Sequence, residues 1–378
     1  MFDPRVGMKI YDNVWYLRHR LEAEQAADIL ASMGVTYVMA QGKLIPMQDT
    51  AIESEVTPEE AARFATLDDR AFRDALAARG IAYFASLNIG FDPNFIAGHK
   101  ELLPIDQFGK REEKTGWYIG LPPDRSANIH HKLALLEKAT SVLEPDGVHL
   151  GFIRWPGFWE IWLPDVKRAD MPDYCYGPET LQHFCAETGI DLPVNDAVKA
   201  ATIIAAKHRA AWRDWKCNIT SRAVGSIRAS LKAIKPDIKV AINTLPFSAS
   251  DFDNVGEEVF GQSPSRLKEV ADVFEVMAYH QILRRDANWP ATIATDIKQR
   301  SQSTTVCTIQ GSALYLDGMH ANRGRALQIT TEEFLGIVDS VEASQADGMC
   351  VFTFTDFLDM RDTADGRRRI DRLRAFRR

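Results

Sequence analysis

The sequence predicts a single (β/α)₈ barrel, the TIM barrel, and three observations predict it. Eight short, continuously apolar runs alternate with stretches of helical spacing along the 378 residues. Continuously apolar runs of this length are typical of parallel strands that helices cover on both faces. No G-x-G-x-x-G follows the first run and no G-x-x-x-x-G-K-[ST] occurs in the sequence, which disfavours an open nucleotide-binding sheet. Eight repeats therefore indicate a closed barrel.

The predicted strands, in chain order, are residues 8–17, 35–40, 81–87, 147–153, 238–244, 273–279, 304–309 and 348–354. Helical segments separate them. The segments "EAEQAADILASMG" and "DRAFRDALAARG" carry apolar residues at helical spacing and stop at Gly34 and Gly80, because glycine favours the left-handed backbone that ends a helix. The segment "TTEEFLGIVDSVEA" begins with a capping box formed by Thr330 and Glu333.

One connection is longer than the others, with about eighty-five residues between the fourth and fifth predicted strands. Two helical patterns fill this gap, and no Ser/Gly/Pro-rich linker, repeat or low-complexity segment divides the chain. We therefore predict one domain over residues 1–378, with an elaborated fourth βα unit over residues 157–235.

Composition excludes several classes of partner. A net charge of −7 disfavours nucleic acid and membrane surfaces, which both require a dominant positive field. No apolar run approaches a membrane span and no secretion signal is visible, so we expect a cytoplasmic protein, or a secreted one whose signal is missing here. Five scattered cysteines indicate reduced thiols. No motif indicates a metal or another cofactor, and homo-oligomerisation is left open.

The C-terminal ends of the strands form the catalytic face of such a barrel, so polar and aromatic residues there are candidates for binding a substrate. The predicted substrate-binding residues are Asp12, Gln41, Asn88, His149, Arg154, Trp155, Trp159, Asn243, Tyr279, His280 and Gln310. Amides and carboxylates pair with hydroxyls in both directions, and indole faces cover the C–H face of a sugar ring. Trp117 and Trp162 are further candidates for ring contacts. This mixture predicts a small carbohydrate or an oligosaccharide as the substrate.

Two carboxylates are the predicted catalytic residues. Glu160 lies between Trp159 and Trp162, where low polarity would raise its pKa and keep it protonated as a general acid requires. Asp356 follows the last strand and would be the ionised base or nucleophile. The structural alternatives are an ion pair of Glu160 with Arg154 or Lys167 and a helix-capping role for Asp356.

The segment "DGVHLGFIRWP" resembles the D-G-[IV]-H-[LF]-D-[FY]-I-R-[FY]-P segment of a large group of bacterial (β/α)₈ proteins regarded as glycoside-hydrolase-like. The resemblance continues through "DYCYGPETLQHFCAETGIDLP" and "FEVMAYHQILRRDANW". It implies a carbohydrate substrate and a site at the C-terminal ends of the strands. Arg154, within the segment, would bind an anionic or hydroxyl-rich part of the substrate.

The sequence departs from this pattern at Gly151, where the group has an aspartate, and Asn243 and Gln310 stand where barrel glycosidases often have carboxylates. Glycine cannot supply a nucleophile, but it could let a sugar approach the backbone. We predict a glycoside hydrolase with a two-carboxylate mechanism. A non-hydrolytic carbohydrate-binding protein on a degenerate glycosidase scaffold is the first alternative, and a sugar isomerase, epimerase or lyase is the second. Two carboxylates in one pocket would favour hydrolysis, and a tryptophan-lined pocket with at most one would favour binding.

Overall fold

A computed structural model describes residues 2–45 and 57–377. Within these ranges eight parallel strands pair in sequence order, and β8 pairs with β1 to close a barrel. The strands are β1 Val6–Ile10, β2 Tyr37–Ala40, β3 Ala82–Asn88, β4 Gly147–Gly151, β5 Lys239–Thr244, β6 Val273–Met277, β7 Thr304–Gln310 and β8 Gly348–Phe352. The closed barrel with its surrounding helices is a single TIM barrel, which confirms the predicted fold class.

Helices cover the outside of the barrel. In the described ranges the α-helices are Val14–Leu17, Ala23–Ser32, Pro58–Ala65, Asp69–Ala78, Pro93–Gly98, Ser126–Leu143, Pro178–Thr188, Ala197–Ile203, Arg209–Ile234, Val255–Glu258, Pro264–Leu267, Trp289–Ser301, Thr331–Glu342, Phe354–Met360 and Ala364–Ala375. Gly34 and Gly80 follow two of them with positive φ angles of 81° and 71°, as the sequence predicted. Thr330 and Glu333 form the predicted capping box.

The side chains of each strand point alternately to two buried surfaces. Side chains such as Met8, Val38 and Val148 pack outward against the helices in the large hydrophobic core. Their neighbours point into the barrel, where Tyr37 and Phe84 belong to an inner cluster. This two-residue period is why the strands are apolar on both sides in the sequence.

Two glycines on the strands make room for the aromatic rings inside the barrel. A Cβ atom at Gly7 would lie 2.1 Å from the Tyr37 ring, and one at Gly147 would lie 2.3 Å from the Phe84 ring. The rings fill the N-terminal half of the barrel, which is therefore a packed core and leaves the C-terminal half for polar side chains.

Six strands are shorter than the sequence predicted, namely β1, β2, β4, β5, β6 and β8, and the ends of β1 and β4 have a clear local cause. β1 ends at Ile10 and not at residue 17, because Asp12 accepts a hydrogen bond from the backbone N–H of Val14 and a short helix begins there. β4 ends at Gly151, since Phe152 has a positive φ angle of 53° and leaves the extended conformation.

The connection from β4 to β5 contains helices Pro178–Thr188, Ala197–Ile203 and Arg209–Ile234, joined in part by a π-helical turn at Ile204–His208. They pack around a second hydrophobic cluster that includes Trp155. The predicted limits of the elaborated unit, residues 157–235, stay a prediction.

Candidate active site

A cavity of about 200 Å³ opens at the C-terminal end of the barrel. It lies where the strand ends meet the loops that follow β3, β4 and β7. Its lining residues are Lys9, Tyr11, Asn88, Phe91, Trp117, Phe152, Arg154, Trp159, Glu160, Asn243, Met277, Tyr279, Tyr315 and Phe352. Most of this lining is aromatic. The volume is smaller than the roughly 300–1,000 Å³ of pockets for drug-sized ligands, and suits one small polar ring.

Beneath the cavity lies a buried polar network, called here the floor network, formed by Ser86, His149, Glu275, Lys9 and Tyr279. Lys9 Nζ lies 2.9 Å from Glu275 Oε1, and both side chains are at most 1% exposed. The His149 ring contacts Glu275 Oε2 through Nε2 at 3.2 Å and the Ser86 hydroxyl through Nδ1 at 2.8 Å. The network joins β1, β3, β4 and β6, and its upper members reach the cavity.

The charges of the floor network are fixed by their partners. Burial alone would raise the pKa of Glu275, but the Lys9 ammonium and His149 outweigh it and lower that pKa to about 2. Burial opposes the charge on Lys9, yet Glu275 holds the pKa of Lys9 well above its usual value. Burial lowers the pKa of His149, so the ring is neutral. Its Nε2–H then donates to the carboxylate, and Nδ1 accepts from Ser86.

Tyr279 connects the floor network to the cavity. Lys9 Nζ donates a hydrogen bond to the Tyr279 hydroxyl at 3.4 Å, and the same ammonium lies 5.0 Å from the centre of the Tyr11 ring. Tyr279 is buried, and burial raises its pKa well above the usual value, so the phenol keeps its proton. The hydroxyl therefore accepts from the protein and retains a proton that it can donate to a ligand.

Among the described residues that line the cavity, Glu160 is the one with a carboxyl side chain. Its backbone carbonyl accepts a hydrogen bond of 2.7 Å from Arg325, whereas its side-chain Oε2 is buried and has no hydrogen-bond partner among the described residues. Burial raises the pKa of Glu160 to about 7, although Arg154, Arg325 and the Tyr315 phenol oppose the rise. The direction agrees with the expectation from sequence, and the carboxyl is substantially protonated near neutral pH.

Arg154 is a buried guanidinium at the edge of the cavity, 3% exposed. Nη1 donates to the backbone carbonyls of Gly157 at 2.8 Å and Trp155 at 3.3 Å, and it lies 3.5 Å from the Tyr118 hydroxyl. The guanidinium also lies 5.3 Å from the centre of the Phe152 ring. These contacts fix the side chain, and no carboxylate among the described residues lies within ion-pair distance of it.

Asn88 and Asn243 bring amide groups to the cavity from the ends of β3 and β5. The side-chain Oδ1 atom of each is buried and without a hydrogen-bond partner among the described residues. Asn88 also explains Gly151, because a Cβ atom at position 151 would lie 2.5 Å from Asn88 Oδ1. The expectation that a sugar approaches the backbone at Gly151 is therefore wrong: the Asn88 amide takes that space.

Asp356 and Asp12 lie outside the cavity lining. Asp356 Oδ2 accepts from the backbone N–H of Thr353 at 3.0 Å, and Oδ1 accepts from the Ser312 hydroxyl at 2.8 Å. These contacts cap the helix Phe354–Met360. Asp12 Oδ1 similarly accepts from Val14 N–H and from the hydroxyl of Thr355. The structure thus does not bring Asp356 to the cavity that Glu160 lines.

Several other predicted binding residues also lie apart from the cavity. Trp155 is completely buried, donates to the carbonyl of Lys216 and packs against Trp215. His280 contacts Glu333 at 3.1 Å. Gln310 donates to Gln281 at 3.1 Å and to the carbonyl of Ser312. Gln41 is buried at the end of β2, and His149 lies below the cavity in the floor network. The residues that the structure does bring together are Asn88, Arg154, Trp159, Glu160, Asn243 and Tyr279, with the further candidate Trp117.

Sequence reasoning missed Lys9, Tyr11 and Tyr315 as residues of the cavity. The positions of Lys9 and Tyr11 could have been predicted from the sequence. They alternate with Met8 and Ile10, so in a strand they face the barrel interior. Tyr315 had none, since it lies in an irregular loop after β7 whose path depends on tertiary contacts, including a hydrogen bond from Trp117 Nε1 to its hydroxyl.

The described ranges contain neither a cluster of metal-binding side chains nor a membrane-spanning helix. No cluster of three or more His, Cys, Asp or Glu side chains has an arrangement that could hold a metal ion. No helix in the same ranges combines the length and the apolar character that crossing a bilayer requires.

Several solved glycosidases have a fold similar to that of this chain. A GH42 β-galactosidase from G. stearothermophilus has a TM-score of 0.65 at 13% identity, and the match covers 100% of this chain and 57% of that one. The likeness is one of fold. The catalytic domain of a β-amylase from Paenibacillus polymyxa gives a TM-score of 0.59 at 10% identity, covering 100% of this chain and 98% of that domain.

A β-galactosidase from the psychrophilic Marinomonas ef1 gives a TM-score of 0.59 at 10% identity, over 93% of this chain and 54% of that one. This chain therefore spans little more than half the length of the β-galactosidases it matches. No protein-family model matches the sequence, and no curated protein matches it either. These likenesses show the fold, and the chemistry has to be argued from the site.

Proposed function

We propose that the protein is a glycoside hydrolase that binds one sugar unit in the cavity and uses Glu160 as its general acid. One observation supports this most strongly: a carboxyl group with a pKa of about 7 and a buried oxygen without a partner lines an aromatic cavity at the C-terminal end of a TIM barrel. A carboxyl that is largely protonated at neutral pH is what protonation of a glycosidic oxygen requires.

The rest of the lining suits a sugar ring. Trp117 and Trp159 offer indole surface to C–H groups. The partnerless Oδ1 atoms of Asn88 and Asn243 accept hydrogen bonds from sugar hydroxyls, and Tyr279 donates one. A ligand that satisfies these atoms removes the cost of leaving them buried and unpaired.

The proposed step begins with transfer of the Glu160 proton to the glycosidic oxygen while the bond from the anomeric carbon to that oxygen breaks. The bonding electrons stay on the leaving oxygen, and positive charge develops on the sugar ring. Water then attacks the anomeric carbon and returns a proton to the Glu160 carboxylate. This scheme needs one carboxyl group and replaces the predicted pairing of Glu160 with Asp356, whose oxygens cap a helix.

A non-hydrolytic sugar-binding protein is the second candidate, and the count of carboxylates favours it. Among the described residues that line the cavity, Glu160 is the one carboxylate, whereas both standard glycosidase mechanisms use two. Glu275 does not supply the second, because it is fully buried and paired with Lys9 and His149.

The test assays wild type and Glu160→Gln in parallel on α- and β-linked aryl glycosides and on oligosaccharides, with sugar binding followed by tryptophan fluorescence. Asp165→Asn is the matched control, since Asp165 is an exposed carboxylate further along the same loop, paired with Arg284. Cleavage that Glu160→Gln abolishes and Asp165→Asn retains supports the hydrolase. Cleavage that survives in Glu160→Gln refutes the assignment of the acid. Sugar binding without cleavage in any variant supports the second candidate.

A further inference from the structure

The cavity contains a positive charge without an acidic partner. Arg154 is permanently charged, and among the described residues it makes no ion pair. Its hydrogen bonds are all made by Nη1, two of them to backbone carbonyls. Nε is buried without a hydrogen-bond partner among the described residues, and the hydrogen bonds of the Arg154 side chain to the described residues do not involve Nη2. Nε and Nη2 form one edge of the guanidinium plane, so that edge keeps two donors available.

The neighbouring groups do not neutralise this charge. The other cation of the cavity, Lys9, is balanced by Glu275 at 2.9 Å. Two buried carboxyl groups interact with Arg154, Glu160 in the cavity lining and Glu112 outside it. Burial raises the pKa of Glu160 to about 7 and that of Glu112 to about 8, so both are largely uncharged below neutral pH. Three rings surround the guanidinium, with centres at 5.5 Å for Tyr118, 5.3 Å for Phe152 and 5.4 Å for Phe260. Ring faces attract a cation but supply no net negative charge.

A buried cation without an anion is costly, and a protein retains it where a ligand supplies the missing charge. We propose that the sugar bound in this cavity carries a carboxylate, as a uronic acid does, and that Arg154 binds this carboxylate. This inference rests on the proposed function, since it assumes that a sugar occupies the cavity. A planar carboxylate matches two donors on one edge of a guanidinium.

The same charge bears on the reaction. Positive charge develops on the sugar ring as the glycosidic bond breaks, and an uncompensated guanidinium nearby opposes it. A carboxylate on the substrate neutralises Arg154 and removes this opposition. A neutral sugar leaves it in place, so a uronide is favoured in kcat/KM as well as in binding.

The experiment compares ligands on the wild-type protein first. Binding of D-glucuronate and D-galacturonate is measured by tryptophan fluorescence and calorimetry against glucose, galactose and the methyl esters of the two uronates. The esters remove the charge and add one methyl group, and the neutral sugars lack the carboxyl group altogether. Aryl glucuronides and galacturonides are assayed against the matching aryl glucosides and galactosides. We expect the free acids to bind about 10-fold or more tightly than their esters, as a charge-assisted hydrogen bond provides.

Variants then locate the effect. Arg154→Met should abolish the preference for the acid over the ester. Arg369→Met is the matched control, because Arg369 is also a buried arginine that donates to backbone carbonyls, those of Gly311 and Ile329, and lies over a ring, that of Phe334. It does not line the cavity. If Arg154→Met fails to fold, the comparison of acid with ester on the wild type decides the question.

The outcomes separate this inference from the proposed function. Uronates preferred by wild type and by Arg369→Met support it. Neutral sugars bound and cleaved as well as uronates overturn it and leave the hydrolase standing. Uronates bound but never cleaved support it and count against hydrolysis. If no sugar of either kind binds, the inference and the proposed function both fail.

Discussion

Lys9 on β1 and Glu275 on β6 form an ion pair of 2.9 Å inside the barrel, where both side chains are almost completely inaccessible to solvent. The attraction between the two charges offsets the hydration that each loses on burial. The hydrogen bond from His149 to Glu275 gives the carboxylate a further partner. The pair holds the Lys9 ammonium beneath Tyr279, so the position of a cavity residue depends on a carboxylate outside the lining.

Replacing Lys9 by Met should lower the free energy of unfolding by about 3–5 kcal/mol, because the Glu275 carboxylate would stay buried without its cation. Unfolding in guanidinium chloride, followed by circular dichroism, measures the loss. The double variant Lys9→Met/Glu275→Leu removes both charges and should recover most of it. A double variant as unstable as the single one would show that packing, and not charge, holds this position.

The kcat/KM for glycoside cleavage should fall about tenfold for each pH unit above about 7, because Glu160 must be protonated to act as the acid and its pKa is raised to about 7. A pH profile on the aryl substrate identified by the panel measures this. A profile that stays flat up to pH 9 would mean that another group delivers the proton.

The raised pKa of Glu160 also predicts how stability depends on pH. The folded carboxyl has a pKa of about 7, against 4.5 for the ordinary group, so its stabilising contribution is complete below 4.5 and is lost as the pH rises through 7. The free energy of unfolding should fall by about 3 kcal/mol over this pH range. Glu160→Gln has no proton to lose, so the difference in thermal midpoint between variant and wild type should grow in favour of the variant between pH 4.5 and 8. An unchanging difference would contradict the burial of this carboxyl.

Gly151→Ala should impair sugar binding through Asn88, because the new Cβ would lie 2.5 Å from Asn88 Oδ1 and displace the amide from the cavity. The cost in stability should be about 1 kcal/mol, since a side-chain terminus can move. Fluorescence titration of Gly151→Ala, Asn88→Ala and the double variant tests this as a cycle. The two losses should not add, because both remove the same amide; additive losses would mean independent effects.

Asp356→Ala should lower the free energy of unfolding by about 1–2 kcal/mol and leave turnover unchanged, since the Asp356 oxygens accept hydrogen bonds at the start of the helix Phe354–Met360. Denaturant unfolding and activity well below the thermal midpoint measure the two effects separately. Turnover lost at normal stability would restore Asp356 as a catalytic residue.

The alternation of apolar runs sufficed to predict the barrel, because each strand is buried on both faces and several helices have a capping or glycine signal at an end. The predicted end of β4 also indicated that Arg154 and Glu160, which follow this strand, lie at the C-terminal end of the barrel. The alternation did not suffice for the direction of side chains beyond a strand end. Trp155 and Trp159 are four residues apart, yet Trp155 packs into the second hydrophobic cluster and Trp159 lines the cavity. Loop geometry decides this, and it depends on contacts distant in sequence.

The close approach of Gly151 to the Asn88 side chain limits which substitutions the C-terminal face of this barrel can accept. An acidic side chain introduced at position 151 would clash with the amide at position 88. The substitution therefore destabilises the protein unless position 88 carries a smaller residue. A smaller residue at position 88 alone removes the amide that we propose accepts a hydrogen bond from the sugar. Either single change is therefore expected to carry a cost, so glycine at the end of β4 and asparagine at position 88 depend on each other.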